Sequence, residues 1–317
     1  VFEGRFLIGD YSLYTGALAS IAGCVTALIN ISAHVYEGTL FIDNLVSFMK
    51  EEQTIVPIAK EPLRVQRGVP HTIEFKNVSF SYPGSERKVI NNFTTTFRPG
   101  ETGVLVGLNG AGKTTLINLI PRFYEASEGT VTVLGQNVRS YDPAELRSRI
   151  GVVPQKAELF KGTVRSNLCW GKENATDKEL WEALETAQAA DFIREKDGQL
   201  DAPVEQKGRN LSGGQRQRLT IARALVGEPE ILILDDSASA LDFATDAKLR
   251  KALRDLPSKP TTFIISQRTS SIHAADLIIV LDEGHVVGMG KHDHLLASCE
   301  EYRDPVDDIR KINAEAQ

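Results

Sequence analysis

Gly107-Leu108-Asn109-Gly110-Ala111-Gly112-Lys113-Thr114-Thr115 fits G-x-x-x-x-G-K-[ST], the Walker A pattern of a loop that cradles nucleotide phosphates. Residues 102–106, Thr-Gly-Val-Leu-Val, are β-rich and apolar, and residues 114–120 read as a helix, so the loop falls between a strand and a helix as this chemistry requires. Gly107, Gly110 and Gly112, with Asn109 and Ala111 completing the loop, let the backbone bend so that its N–H groups point inward, and the following helix adds the partial positive charge of its N-terminus. Lys113 is predicted to reach the β- and γ-phosphates, the Thr114 hydroxyl to ligate Mg²⁺, and Thr115 to add a further phosphate contact. The plainer reading, a Gly-rich turn with a solvated lysine, loses its weight once both flanking elements are counted.

The remaining composition sets bounds. The 317 residues suffice for one large or two medium domains, and 42% hydrophobic residues is ordinary for a chain with a buried core. A formal net charge of -6 leaves no electrostatic footprint for nucleic acid, so no nucleic-acid partner is expected. Cys24, Cys169 and Cys299 are scattered without C-x-x-C spacing, which argues against a disulfide framework or a zinc site and fits a reducing compartment. No basic segment followed by a short apolar core opens the chain, so no signal peptide is expected, and the start at Val1 suggests a fragment of a longer protein.

Residues 11–36 contain no Asp, Glu, Lys or Arg and are long enough for a bilayer-spanning helix. Ser12, Thr15, Ser20, Thr26, Asn30 and Ser32 make the segment only mildly apolar, as suits a helix facing other helices or a watery path, and a buried helical hairpin of a soluble domain is the competing reading. Residues 41–49 continue at helical spacing with scattered charge. Residues 50–70, with Pro57, Pro62, Gly68 and Pro70, read as an extended linker. Strands over 73–80 and 89–97, around the turn Tyr82-Pro83-Gly84, predict an antiparallel sheet, and Tyr82 at a strand end could stack on a base or simply pack. Short strands follow at 130–134 and 150–153, the latter releasing Gln155 near the phosphates. Residues 156–210 read as an inserted helical subdomain, clearest as a helix over 177–192, with Cys169 and Trp170 as packing residues.

A second constellation lies beyond. Leu211-Ser212-Gly213-Gly214-Gln215 opens a strong helical run, a second helix N-terminus suited to phosphate. Ile231-Leu232-Ile233-Leu234-Asp235-Asp236 is a buried aliphatic strand ending in two carboxylates, the Walker B pattern, with Asp235 as partner of the Mg²⁺ shell.

Together with Ser239-Ala240-Leu241-Asp242 and Ile264-Ile265-Ser266-Gln267-Arg268, these motifs resemble, in order and spacing, the nucleotide-binding domain of an ATP-binding-cassette (ABC) transporter. The resemblance covers 73 to about 302, and residues 1–49 resemble the end of the membrane domain of an exporter-type member. It implies four segments: a membrane-domain fragment over 1–49, a linker over 50–70, a nucleotide-binding domain over 71–303 and a tail over 304–317. The implied fold is an α/β P-loop NTPase core with an antiparallel β subdomain and an inserted helical subdomain, preceded by a membrane-helix remnant. The implied roles are ATP and Mg²⁺ as ligands, Tyr82 stacking on adenine, Gln155 sensing Mg²⁺ and contacting the membrane domain, and Asp242 communicating across a dimer. Family members work as head-to-tail dimers, so Ser212, Gly213, Gly214 and Gln215 would serve the partner's nucleotide. The resemblance also implies a multi-pass protein of the cell membrane with the nucleotide-binding domain on its cytoplasmic side, and the bilayer and further transmembrane helices of the same chain as partners.

Two positions depart from the family pattern. Asp236 stands where a Glu usually orients the attacking water, which withdraws the carboxylate by about 1.5 Å. Gln267 replaces the His that contacts the γ-phosphate, and an amide can donate a hydrogen bond but carries no positive charge. The pair resembles the degenerate site of heterodimeric exporters; the alternatives are a homodimer with Asp236 as a slow base and a soluble ABC ATPase outside transport. His292, His294 and Cys299 could suggest metal, but an exposed His-x-His reads more simply as a solvated face, and residues 300–317 as a solvated helix or loose end.

Overall fold

The computed structural model describes residues 7–51, 54–58, 69, 72–237, 239–266 and 272–303, and divides into two compact units between Thr54 and Ile55. The first is built on one helix, α1 (Ile8–Met49), in which no residue is buried. At 1.5 Å per residue these 42 residues extend about 63 Å, twice the hydrocarbon thickness of a bilayer. The helix is unbroken, so the helical-hairpin reading of this segment does not hold. Several of its hydroxyls are satisfied locally: those of Thr26, Ser32 and Thr39 each donate to the carbonyl four residues back.

The second unit is layered. Strands β1 (Ile73–Ser81), β2 (Lys88–Phe97), β3 (Thr102–Val106), β4 (Glu128–Val133), β5 (Gln136–Asn137) and β6 (Ile150–Val153) are joined by helices α2 (Lys113–Asn118) and α3 (Pro143–Arg147). The helical insertion holds α4 (Val164–Leu168), α5 (Asp177–Thr186) and α6 (Ala190–Arg194), with a small ribbon of β7 (Gly162–Thr163) and β8 (Pro203–Val204). Then come α7 (Gly213–Leu225), β9 (Ile231–Asp235), α8 (Phe243–Arg254), β10 (Thr261–Ile265), β11 (Leu277–Asp282), β12 (His285–Gly290) and α9 (His292–Ser298).

Two main sheets result, as the sequence predicts. A six-stranded sheet has the order β12-β11-β3-β10-β9-β6, parallel except for β12. Strand β9 reads as an unbroken aliphatic run because both faces are covered, and its first four residues are all buried. The register sets Ile265 opposite both Leu105 and Asp235, and Val153 opposite Leu234, so the loops carrying the phosphate and carboxylate motifs emerge from one edge. The antiparallel sheet β2-β1-β4-β5 packs beside it through an aromatic seam: Phe75 meets Phe93 edge-on at 5.1 Å, and Phe97 meets Phe263 of the parallel sheet at 4.6 Å.

Several local readings change. The helix expected over 177–192 is two helices, because Gln188 adopts φ 57°, its side chain donates to the Glu185 carbonyl and its own carbonyl accepts from Arg218. Trp170, expected to pack inside, is 69% exposed and stacks on Phe160, itself 52% exposed, at 4.8 Å; the pair borders a groove of about 500 Å³ with Arg147 and Arg223. Cys169 is half-buried against the insertion's core. His292 is buried and shares a hydrogen bond of 2.6 Å with the hydroxyl of Tyr302, so the segment after α9 is tethered at Tyr302 instead of being solvated there. His294 is exposed, and no cluster of three or more His, Cys, Asp or Glu suited to a metal occurs among the described residues. Of the linker, residues 54–58 and 69 are described; the Val56 carbonyl accepts from Arg122 at 2.6 Å and the Ile58 N–H donates to Arg139 at 3.0 Å. The tail over 304–317 lies outside the described residues.

Candidate nucleotide site

The carboxyl edge of the parallel sheet opens into a cavity of about 620 Å³. Asn109, Gly110, Gly112, Lys113, Thr114, Thr115, Gln155, Asp235 and Asp236 line it, together with Tyr82. Motifs scattered along the chain thus share one wall because β3, β6 and β9 end together.

The loop has its shape for steric reasons. A Cβ on Gly107, at φ +148°, would lie 2.1 Å from the Leu281 carbonyl oxygen. One on Gly112, at φ +98°, would lie 2.9 Å from that of Val89. Ala111 is buried behind the loop, its N–H donating to the Leu108 carbonyl at 3.2 Å. Lys113 opens α2 and its ammonium donates to the carbonyls of Gly107 and Leu108, both at 2.8 Å. Burial lowers the Lys113 pKa, opposed by the nearby Asp235 and Asp236 carboxylates. This cation beside a glycine loop fits a polyphosphate.

Opposite it, the Thr114 hydroxyl lies 3.1 and 3.3 Å from the two oxygens of Asp235. Burial raises the Asp235 pKa, with Thr114 and Lys113 opposing and Asp236 adding to the rise. Two hard oxygen donors at a phosphate loop suit Mg²⁺, which takes few protein ligands and completes its shell with phosphate and water. Asp236 follows the strand in the left-handed region, φ 44°, with its N–H on the Ile265 carbonyl at 3.0 Å and its own carbonyl accepting from Ser239 Oγ at 2.9 Å. Gln155 is exposed on the loop after β6. Gln267 and Arg268 lie outside the described residues.

Tyr82 is half-buried, its ring edge-on to Phe80 and Tyr124 and its hydroxyl 2.8 Å from Thr115 Oγ1. The wall beside it holds Arg87, Lys88, Val89 and Glu283, which no motif marks. They arrive by packing: the Asn91 N–H donates to the Gly284 carbonyl at 2.9 Å, which sets the β11–β12 turn against the start of β2.

Ser212, Gly213, Gly214 and Gln215 do not line this cavity. They form the first turn of α7, where Ser212 accepts from the Gln215 N–H at 3.2 Å and Gln215 Oε1 accepts from the Ser212 N–H at 3.0 Å. Ser212 and Gly213 are exposed, and Gly214 packs near Ala240. Asp242 also stands outside the cavity, capping α8 by accepting from Thr245 N–H at 2.9 Å and Thr245 Oγ1 at 2.8 Å. These bonds hold its carboxyl below the usual range.

Residues 90–239 match the model of the family described as ABC transporter. The chain is 37% identical, over 302 residues, to an ATP-dependent lipid A-core flippase of Syntrophus aciditrophicus, covering 95% of this chain and 50% of the relative. It is 44% identical, over 240 residues, to an uncharacterized ABC transporter ATP-binding protein of Mycobacterium tuberculosis, covering 75% of this chain and 41% of that one. The structure of a bacterial Atm1-family ABC exporter with ATP bound superposes with a TM-score of 0.78 at 30% identity, over 96% of this chain and 53% of that one. The chain spans about half the length of the relatives it matches. With the phosphate loop, the carboxylate strand and the signature helix arranged as described, the P-loop unit is an ATP-binding cassette of the ABC transporter type.

Proposed function

We propose that this chain is the ATP-binding and ATP-hydrolysing part of an exporter-type membrane transporter, acting as one half of a head-to-tail pair of cassettes. The observation that carries the reading is the gathering of Lys113, Thr114, Gln155, Asp235 and Asp236 around one cavity. Lys113 and the loop N–H groups bind the phosphates, while Asp236 orients the attacking water. Mg²⁺, held by Thr114 and Asp235 with Gln155 beside them, would neutralise charge on the phosphate oxygens.

The shorter reach of Asp236, together with Gln267 in place of a His, favours firm ATP binding and slow hydrolysis at this site. A partner cassette carrying Glu and His at those positions, capped by this chain's Ser212-Gly213-Gly214, would turn over faster. This heterodimer is preferred to a homodimer with Asp236 as a slow base. The exposed signature turn, standing apart from its own chain's cavity, supports a partner in either case. ATP binding would close the pair and hydrolysis reopen it, driving alternating access in attached membrane helices.

Helix α1, long and apolar enough to cross a bilayer and with no buried residue, favours this over a soluble ABC ATPase. The protein would then lie in the cell membrane with its cassette on the cytoplasmic side.

The test is ATP binding and phosphate release by the purified chain, alone and with candidate partner cassettes. Binding is expected for the chain alone and is lost in Lys113→Ala; fast hydrolysis is expected only with a partner. No binding would overturn the nucleotide reading. Full-rate hydrolysis by the chain alone, abolished in Asp236→Ala, would overturn the weak-site reading.

A further inference from the structure

Threonines beyond the first turn of a helix turn their hydroxyls onto their own helix: Thr26, Thr39, Thr186 and Thr220 each donate to the carbonyl four residues back, at 2.8 to 3.0 Å. Thr115 does not. It is 6% exposed in the first turn of α2, and among the described residues its side-chain oxygen is bonded to the hydroxyl of Tyr82, 2.8 Å away. Tyr82 comes from the end of β1, and its ring is set by Phe80 at 5.0 Å and Tyr124 at 5.2 Å, both edge-on. The contact therefore links the end of β1 to the phosphate loop through groups each fixed by its own element.

We infer that the Tyr82 hydroxyl is a positioning group for the phosphate end of the site, acting through Thr115, in addition to any contact its ring makes with a base. This rests on the nucleotide reading proposed above. A hydroxyl has one proton to give and lone pairs to receive. With Tyr82 donating to Thr115 Oγ1, the Thr115 proton is committed to a different acceptor, and a phosphate oxygen in the loop supplies one. The two hydroxyls then form a relay, Tyr82 O–H to Thr115 Oγ1–H to phosphate, in which the first bond orients and polarises the second. A ring contact alone would make Tyr82 sensitive to the base; the relay makes it sensitive to the phosphates whatever the base.

The experiment measures Mg²⁺-dependent binding of ATP, GTP and ITP to the purified full chain. Tyr82→Phe keeps the ring and removes the hydroxyl, and is expected to weaken all three nucleotides alike by about three- to tenfold, the range of one net hydrogen bond. In a Thr115→Val background Tyr82→Phe should cost nothing more, whereas in Thr115→Ser, which keeps the hydroxyl, its full effect should return. Tyr82→Phe binding as wild type does, or losses from Tyr82→Phe and Thr115→Val that simply add, would overturn the relay while leaving the nucleotide site standing. A wild-type chain that binds none of the three overturns the nucleotide reading itself, and the relay with it.

Discussion

Thr114 Oγ1 and Asp235 Oδ2, from motifs far apart in the chain, stand 3.1 Å apart across the phosphate cavity. Parallel pairing of β10 with both β3 and β9 brings them together. Asp235 sits there at a cost to the nucleotide-free fold, because burial raises its pKa above the ordinary 3.8. A carboxyl with a raised folded-state pKa stabilises the fold below its unfolded pKa, and that contribution is lost as pH rises through the folded value. Asp235→Asn should therefore raise the Tm of the nucleotide-free chain at pH 7, with the gain over wild type shrinking as pH falls towards 3.8. The same variant should lose the Mg²⁺-dependent part of its ATP-induced thermal shift. Thermal unfolding at pH 7 and pH 4, with and without Mg²⁺ and ATP, reads both effects; an unchanged or lowered Tm at pH 7 would refute the first.

The elements carrying this contact were legible because local chemistry dictates them. Four aliphatic residues in a row, Ile231 to Leu234, make sense only in a strand covered on both faces, and a glycine loop before Lys113 only beside an anion. What stayed hidden depends on tertiary partners. The break at Gln188 carries no Gly or Pro signal and follows from hydrogen bonds to Glu185 and Arg218. Arg87, Val89 and Glu283 reach the cavity wall through the turn at Gly284 and belong to no motif. Trp170 looks like a core residue in sequence, and its exposure becomes visible only with the groove it borders.

Asp236 offers a direct gain-of-function test. Restoring one methylene carries the carboxylate about 1.5 Å further into the cavity, and positioned sites respond steeply to such distances. Asp236→Glu is expected to raise kcat for ATP hydrolysis about tenfold or more with little change in ATP affinity, while Asp236→Asn lowers it below wild type. Steady-state phosphate release gives the comparison. If Asp236→Glu is no faster, the reach of this side chain is not what limits the site.

Arg122 anchors the linker side of the cassette. Its side chain is 1% exposed, ion-paired with Glu125 and bonded to the Val56 carbonyl at 2.6 Å. Removing the cation leaves Glu125 with Arg139 alone and the Val56 carbonyl without this donor. Losing the buried donor to the Val56 carbonyl and one partner of a half-buried carboxylate costs about 1–3 kcal/mol, so Arg122→Ala should lower stability by that order. The more exposed Lys88–Glu128 pair, broken by Lys88→Ala, should cost far less. Denaturant unfolding of the two variants side by side checks the ranking, and equal losses would contradict it.

Ser212 separates what a cassette does alone from what it does in a pair. Its hydroxyl caps α7 by accepting from the Gln215 N–H, so Ser212→Ala should cost about 1 kcal/mol of stability. Because Ser212 does not line its own chain's cavity, the variant should bind ATP with wild-type affinity as a monomer. In a head-to-tail pair the same hydroxyl would face the partner's γ-phosphate, so the damage should appear in the partner's turnover. Mixing Ser212→Ala chains with a partner of intact Walker motifs should slow hydrolysis at least tenfold, as expected when one donor to a developing phosphate charge is removed. Mixing Lys113→Ala chains with the same partner should spare that partner's site, since Ser212 remains. Equal loss in both mixtures would mean that the signature turn does not act across the pair.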